Sequence, residues 1–116
     1  MPLKIYYIDD ELALCENFTD FFSSKDVEVI TFTDPVLAIA ASKDNPPDIL
    51  FVDYRLPNST GDQVAKTINI NIPKYLVTGD INVKTQFKFD AIFSKPYKPE
   101  EIQAVIDRFA KVKLVS

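Results

Sequence analysis

The residues best placed to do chemistry are the adjacent carboxylates Asp9 and Asp10, the carboxylate Asp53, the hydroxyl of Thr78 and the ammonium of Lys95. Clustered carboxylate oxygens are hard ligands that suit Mg²⁺, an ion that keeps several waters and needs only one or two carboxylates. A carboxylate can also attack phosphorus and give an aspartyl phosphate. Such a transfer depends on positioning and charge neutralisation more than on covalent help. A divalent ion, an ammonium and a hydroxyl or amide donor are the parts that can hold three phosphoryl oxygens. Other chemistries fail for want of residues. With 0 histidines the chain has no His-based triad, no histidine general base and few routes to a zinc site. Its 2 glycines, Gly61 and Gly79, cannot make a glycine-rich phosphate loop.

These groups act together only if the fold brings them together. Leu3 to Ile8 (LKIYYI) is a near-continuous apolar run, which predicts a strand buried on both faces. Leu14, Cys15, Phe18, Phe21 and Phe22 then recur at helical spacing. Val27 to Phe32 reads as a second strand, and Asp34 followed by Pro35 as the cap and first residue of a helix reaching about Ser42. Ile49 to Val52 is a third strand ending at Asp53, followed by a loop (YRLPNST) and a helix from Gly61 that carries Val64 and Ile68. Tyr75 to Val77 and Ala91 to Phe93 complete five strands, and residues 80 to 88 carry at best a weak, short helix. Pro99 opens a last helix with Ile102, Val105, Ile106 and Phe109 on one face and Lys111 and Lys113 near its negative end. Strands alternating with helices predict an α/β fold, a doubly wound five-stranded parallel sheet with helices on both faces. Ligands bind such sheets beyond the carboxyl ends of the strands. Those ends carry Asp9, Asp10, Asp53, Thr78 and Lys95, so the five groups should converge on one edge.

Composition supports one ordinary domain over residues 1 to 116: 47% hydrophobic and 26% charged residues can build and cover a core. The net charge of -4 gives no general pull toward phosphate backbones or anionic lipid, so neither nucleic acid nor membrane is an expected partner. No apolar run approaches the roughly 20 residues of a membrane span, and the N-terminus lacks the layout of a signal peptide. The single cysteine, Cys15, leaves no disulfide framework, and a reducing cytoplasm is the expected location.

The chain resembles the receiver domains of two-component response regulators from end to end. Asp9-Asp10-Glu11 resembles that family's acidic pair after the first strand. Asp53-Tyr54-Arg55-Leu56-Pro57, with Gly61 beyond, resembles its phospho-acceptor motif; Thr78-Gly79 and Lys95-Pro96 resemble its Thr/Ser-small and lysine-proline pairs. The resemblance implies a flavodoxin-like strand order, 2-1-3-4-5. It implies that Asp53 accepts phosphate from a histidine kinase or phosphotransfer protein, that output passes to a downstream target protein, and that no effector domain lies within these residues. Mg²⁺ would be held by Asp10, Asp53 and the backbone carbonyl of Arg55, with Asp9 acting partly through water. Lys95 and Thr78 would grip the phosphoryl oxygens, and the Lys95-Pro96 bond would be cis. Beyond accepting the group and losing it again, no enzyme activity is implied.

Two features depart from that pattern. Where the family often has Tyr or Phe three residues before the lysine, this chain has Ile92, and alternation puts Phe93 on the opposite face. The stretches from Gly61 to Thr78 and from Thr78 to Lys95 are each short by roughly a helical turn. One further pair is singled out. Arg55 and Asp80 each lie two residues past a site residue, and their opposite charges can meet across the mouth of the site.

Each residue also has a plainer reading. Asp9 or Asp10 could cap the first helix, Thr78 could make a turn, and Lys95, Lys84, Lys88 and Lys98 could be solvated. Cys15 and the set Tyr6, Tyr7, Phe18, Phe21 and Phe22 read as core packing. Three other functions compete. A degenerate receiver used as a scaffold or a small-molecule sensor would have lost an acidic residue or the lysine. A phosphohydrolase with an aspartyl nucleophile wants a second Asp at the position of Arg55. A flavin carrier needs a phosphate loop where this chain has Asp9 and Asp10.

Overall fold

The computed structural model describes residues 2–80 and 82–115. The main sheet is built from β1 (Leu3–Ile8), β2 (Val27–Phe32), β3 (Ile49–Asp53), β6 (Lys74–Thr78) and β7 (Ala91–Ser94), all parallel, in the order β2-β1-β3-β6-β7. Counting only these five strands, that is the expected order 2-1-3-4-5. The helices are α1 (Leu12–Phe22), α2 (Pro35–Asp44), α3 (Gly61–Thr67) and α4 (Pro99–Val115). Period-two alternation divides the strand side chains between two faces. Ile5, Tyr7, Ile49, Phe51, Tyr75 and Val77 pack with Cys15, Phe18 and Phe22 of α1 and Ile102 and Ile106 of α4. Tyr6, Ile8, Leu50, Val52 and Leu76 pack with Ala38 of α2 and Val64 of α3. The central strands β1 and β3 are covered on both sides, which is why they read as unbroken apolar runs.

Local signals set the helix starts. The Asp34 carboxylate accepts from Val36 N at 2.9 Å and Pro35 opens α2, as expected. A capping box of Thr60 and Gln63 starts α3. Neither Asp9 nor Asp10 caps α1: its N-cap is Glu11, which makes no side-chain cap.

Two expectations need correction. Phe21 is not core: it is 57% exposed, because α1 buries only the stripe through Cys15, Phe18 and Phe22. The loop after Asp53 contains a two-stranded hairpin, β4 (Arg55–Leu56) with β5 (Ser59–Thr60). Pro57 fixes its own φ and Asn58 takes φ 60°, a left-handed turn that Asn tolerates. Residues 80 and 82–88 contain no helix; Ile81 lies outside the described residues. Lys98, Lys84 and Lys88 are exposed as expected, but Lys74, at the start of β6, is a lysine that burial has claimed.

The Lys74 ammonium donates to the carbonyls of Ala65 at 2.9 Å and Ile68 at 2.5 Å, and lies 5.1 Å from the centre of the Phe87 ring. Burial lowers its pKa, with the Asp90 charge opposing. The last carbonyls of a seven-residue helix thus find a donor from the neighbouring strand. Replacing Lys74 by Met keeps most of the buried chain but strands those carbonyls, which costs about 1–3 kcal/mol. Urea unfolding should show that loss; a midpoint equal to wild type would mean that water replaces the ammonium at no cost.

Candidate functional site

Asp9, Asp10, Asp53 and Lys95 meet at the expected edge, and Thr78 ends the neighbouring strand beside them. β1 ends at Ile8 and delivers Asp9; β3 ends on Asp53; β6 ends on Thr78; Lys95 follows β7. Asp9 continues the face of Tyr7 and Asp53 that of Phe51, so both carboxylates rise on the α1/α4 side. One oxygen each from Asp9, Asp10 and Asp53 lie within 4.8 Å of one another. This all-oxygen donor set fits a hard divalent cation such as Mg²⁺.

The three carboxylates differ sharply in environment. Asp9 is fully buried, Asp53 is 8% exposed and Asp10 is open to solvent. The Lys95 ammonium is held between the two buried ones, 2.6 Å from Asp9 Oδ2 and 3.2 Å from Asp53 Oδ2. Asp9 Oδ2 also accepts from the Tyr7 hydroxyl at 2.8 Å, and its Oδ1 from Glu11 N at 3.0 Å. Asp53 Oδ1 accepts from Tyr54 N at 2.9 Å.

Charge states follow. Burial pushes the Asp53 carboxyl up to about 6; Lys95 pulls it down, and Asp9 pushes it up again. Burial works against the Lys95 charge, but its hydrogen bond to Asp9 and the fields of Asp53 and Asp9 outweigh that and raise its pKa. Burial, with the Asp9 charge, raises Tyr7 far above its ordinary value, so the phenol stays protonated and donates. The Cys15 thiol, pushed up to about 11 mainly by burial, donates to Asp9 O at 3.2 Å and stays a packing residue.

The surrounding backbone fixes these groups. A Cβ on Gly61 would stand 2.6 Å from Asp53 O and 2.8 Å from Leu76 Cδ1, so α3 can lie against the acceptor strand only with glycine there. Gly61 N donates to Tyr54 O at 2.7 Å. Lys95 N donates to Thr78 O at 2.8 Å, and the Lys95-Pro96 bond is cis, as expected. The Thr78 hydroxyl accepts from Asp80 N at 3.1 Å, so it closes a local turn at the end of β6. Arg55 begins the hairpin, and its Nε lies 2.9 Å from Asp80 Oδ2. That contact is an ion pair without the alignment of a hydrogen bond. Ile92 is 49% exposed, while Phe93 packs with the α1/α4 core on the other face. Residue reasoning on the sequence left Tyr7 among the core aromatics. Its position two residues before Asp9, on the same face of one strand, was the available signal.

The model of the response regulator receiver domain family matches residues 5–107. DNA-binding response regulator MtrA of Mycobacterium leprae (strain TN) is 24% identical over 111 residues, covering 90% of this chain and 49% of that protein. MtrA of Mycobacterium tuberculosis (strain ATCC 25618 / H37Rv) has the same identity and coverage. The chain therefore spans about half the length of the curated relatives it matches. Among solved structures, the signal receiver domain of an HD domain-containing protein from Pseudomonas fluorescens Pf-5 is similar with TM-score 0.86 at 15% identity, covering 100% of both chains. A CheY-like receiver domain from Methylobacillus flagellatus gives TM-score 0.80 at 17% identity, covering 93% of this chain and 98% of that one. Among the described residues no helix is long and apolar enough to cross a membrane. With the family model spanning nearly the whole chain and the same five-stranded parallel order beneath it, this chain belongs to the response regulator receiver domain family.

Proposed function

We propose that the chain is a phosphorylation-dependent signalling switch in which Asp53 is the phospho-acceptor. The observation that carries this reading is the Lys95 ammonium held between Asp9 and Asp53 beside an all-oxygen metal site. The donor is a phosphohistidine of a histidine kinase or phosphotransfer protein. An Asp53 carboxylate oxygen forms the new O–P bond as the donor's P–N bond breaks, and the electron pair leaves with the imidazole nitrogen. The Asp53 anion is the reactive form, and it is the major one above a pKa of about 6. Mg²⁺, held by Asp10, Asp53 and the Arg55 carbonyl with Asp9 alongside, would supply charge neutralisation for the phosphoryl oxygens. Lys95 and Thr78 then hold those oxygens. The cycle is acceptance and self-dephosphorylation rather than turnover of an external substrate.

Output passes to a docked protein. Because Ile92 is a stiff, branched side chain in place of a rotating aromatic ring, the change is read mainly from the loops after Asp53 and Thr78. The DNA binding in the name of the MtrA relatives belongs to proteins about twice as long, and we assign none of it to these 116 residues.

Intact mass after incubation with acetyl phosphate and Mg²⁺ tests the acceptor. Wild type should gain one phosphoryl group and Asp53→Asn none. Equal labelling of the two would move the acceptor elsewhere, and an unlabelled wild type would favour a scaffold.

The Arg55–Asp80 pair should set how long the phosphate lasts. The Arg55 side chain is 77% exposed and that of Asp80 31%, so the pair adds little stability, typically under ~1 kcal/mol. Arg55 opens the hairpin after Asp53 and Asp80 follows Thr78, which would put the pair beside the line along which a hydrolytic water must approach. In excess Mg²⁺ the phospho-protein should decay faster in Arg55→Ala and in Asp80→Ala by similar factors, with little further change in the double variant. A half-life altered by less than about twofold, roughly 0.4 kcal/mol in barrier, in both single variants would remove the gate.

A further inference from the structure

Tyr7 lies at the centre of the fold, fully buried in β1, with its ring stacked on Phe18 at a centroid separation of 4.2 Å. A phenylalanine would fill that space equally well, and a buried hydroxyl costs stability unless it is bonded. Its one hydrogen bond is to Asp9 Oδ2, at 2.8 Å, the oxygen that also takes the Lys95 ammonium at 2.6 Å. The other oxygen of Asp9 is occupied by Glu11 N.

We propose that Tyr7 is a positioning residue that lets Lys95 leave Asp9 for the phosphoryl group. The inference rests on the acceptor reading of Asp53. For Lys95 to hold a phosphoryl oxygen on Asp53, its ammonium must give up part of its contact with Asp9 Oδ2. That oxygen is fully buried, and without a second donor it would be stranded when the lysine moves. The Tyr7 hydroxyl is already in place to hold it. It therefore stabilises the form in which Lys95 faces the acceptor over the form in which Lys95 is shared between the carboxylates.

The probe is beryllofluoride, the additive named for the activated DrrB receiver domain, which is similar with TM-score 0.81 at 20% identity. Its dissociation constant is measured by ¹⁹F NMR at saturating Mg²⁺, for wild type and Tyr7→Phe, with Mg²⁺ affinity measured separately by calorimetry. Tyr7→Phe keeps the stacked ring, and its melting curve shows that it is folded at the temperature used. Beryllofluoride should bind about tenfold more weakly to Tyr7→Phe, the loss of about one buried hydrogen bond, while Mg²⁺ affinity changes by less than about threefold. A purely structural tyrosine would lower the melting temperature and leave both constants of the folded protein unchanged, which overturns the proposal. Equal weakening for Mg²⁺ and beryllofluoride also overturns it, because Tyr7 would then serve the metal site and not the lysine. If wild type itself fails to bind beryllofluoride, the acceptor reading fails first and takes this proposal with it.

Discussion

Two carboxylates and one ammonium, nearly closed off from water, set the terms for the rest of the structure. Asp9 and Asp53 are buried side by side at the ends of adjacent strands, and like charges about 5 Å apart repel by roughly 3 kcal/mol at an effective dielectric near 20. The chain relieves that repulsion with Lys95, delivered from beyond β7, and not by exposing the acids. Lys95 does not offset burial, which is the main cause of the raised Asp53 pKa, with the Asp9 charge adding to it. The folded Asp53 carboxyl sits at about 6 against an ordinary 3.8, so the folded state binds more protons than the unfolded one between those values. The stability it contributes is therefore present at low pH and is lost as the pH rises through about 6. At neutral pH the metal-free site is strained, and the same strain makes a divalent cation welcome.

The fold serves this arrangement. Parallel strands put all their carboxyl ends on one edge, which is how residues from 9 to 95 meet. Gly61 lets α3 close against the acceptor strand, and the hairpin after Asp53 carries Arg55 toward Asp80. On the far side, α3 is only one helix of seven residues, and its end is held by Lys74. The segment from 80 to 90 covers the sheet without a helix among its described residues, and that leaves Ile92 half exposed.

Much of this was legible in the sequence, for reasons that also mark where reading stops. Buried strands are continuous apolar runs, so β1 and β3 and the aspartates that end them stand out. Proline and acidic caps marked α2. Periodicity could not tell that Phe21 points outward, because Leu14, Cys15, Phe18, Phe21 and Phe22 suggest a wider stripe than the Cys15, Phe18 and Phe22 that the helix buries. A two-residue hairpin leaves no periodic signal at all, so β4 and β5 were hidden in a loop. Lys74 was hidden differently: its partners, the carbonyls at the end of α3, are a tertiary fact, whereas Tyr7 stands two residues before Asp9 on one strand face and was open to being found. The balance at the site depends on distances between strands, which spacing along the chain does not encode.

The charge balance can be read directly from the acceptor. A ¹³C NMR titration of the Asp53 carboxyl in metal-free protein, wild type and Lys95→Met, isolates the contribution of the ammonium. Wild type should titrate at about 6 and Lys95→Met clearly higher, because the lysine is the main group pulling Asp53 down. An Asp53 that titrates alike in both proteins would contradict this: Lys95 would then not be what makes the buried carboxylates tolerable.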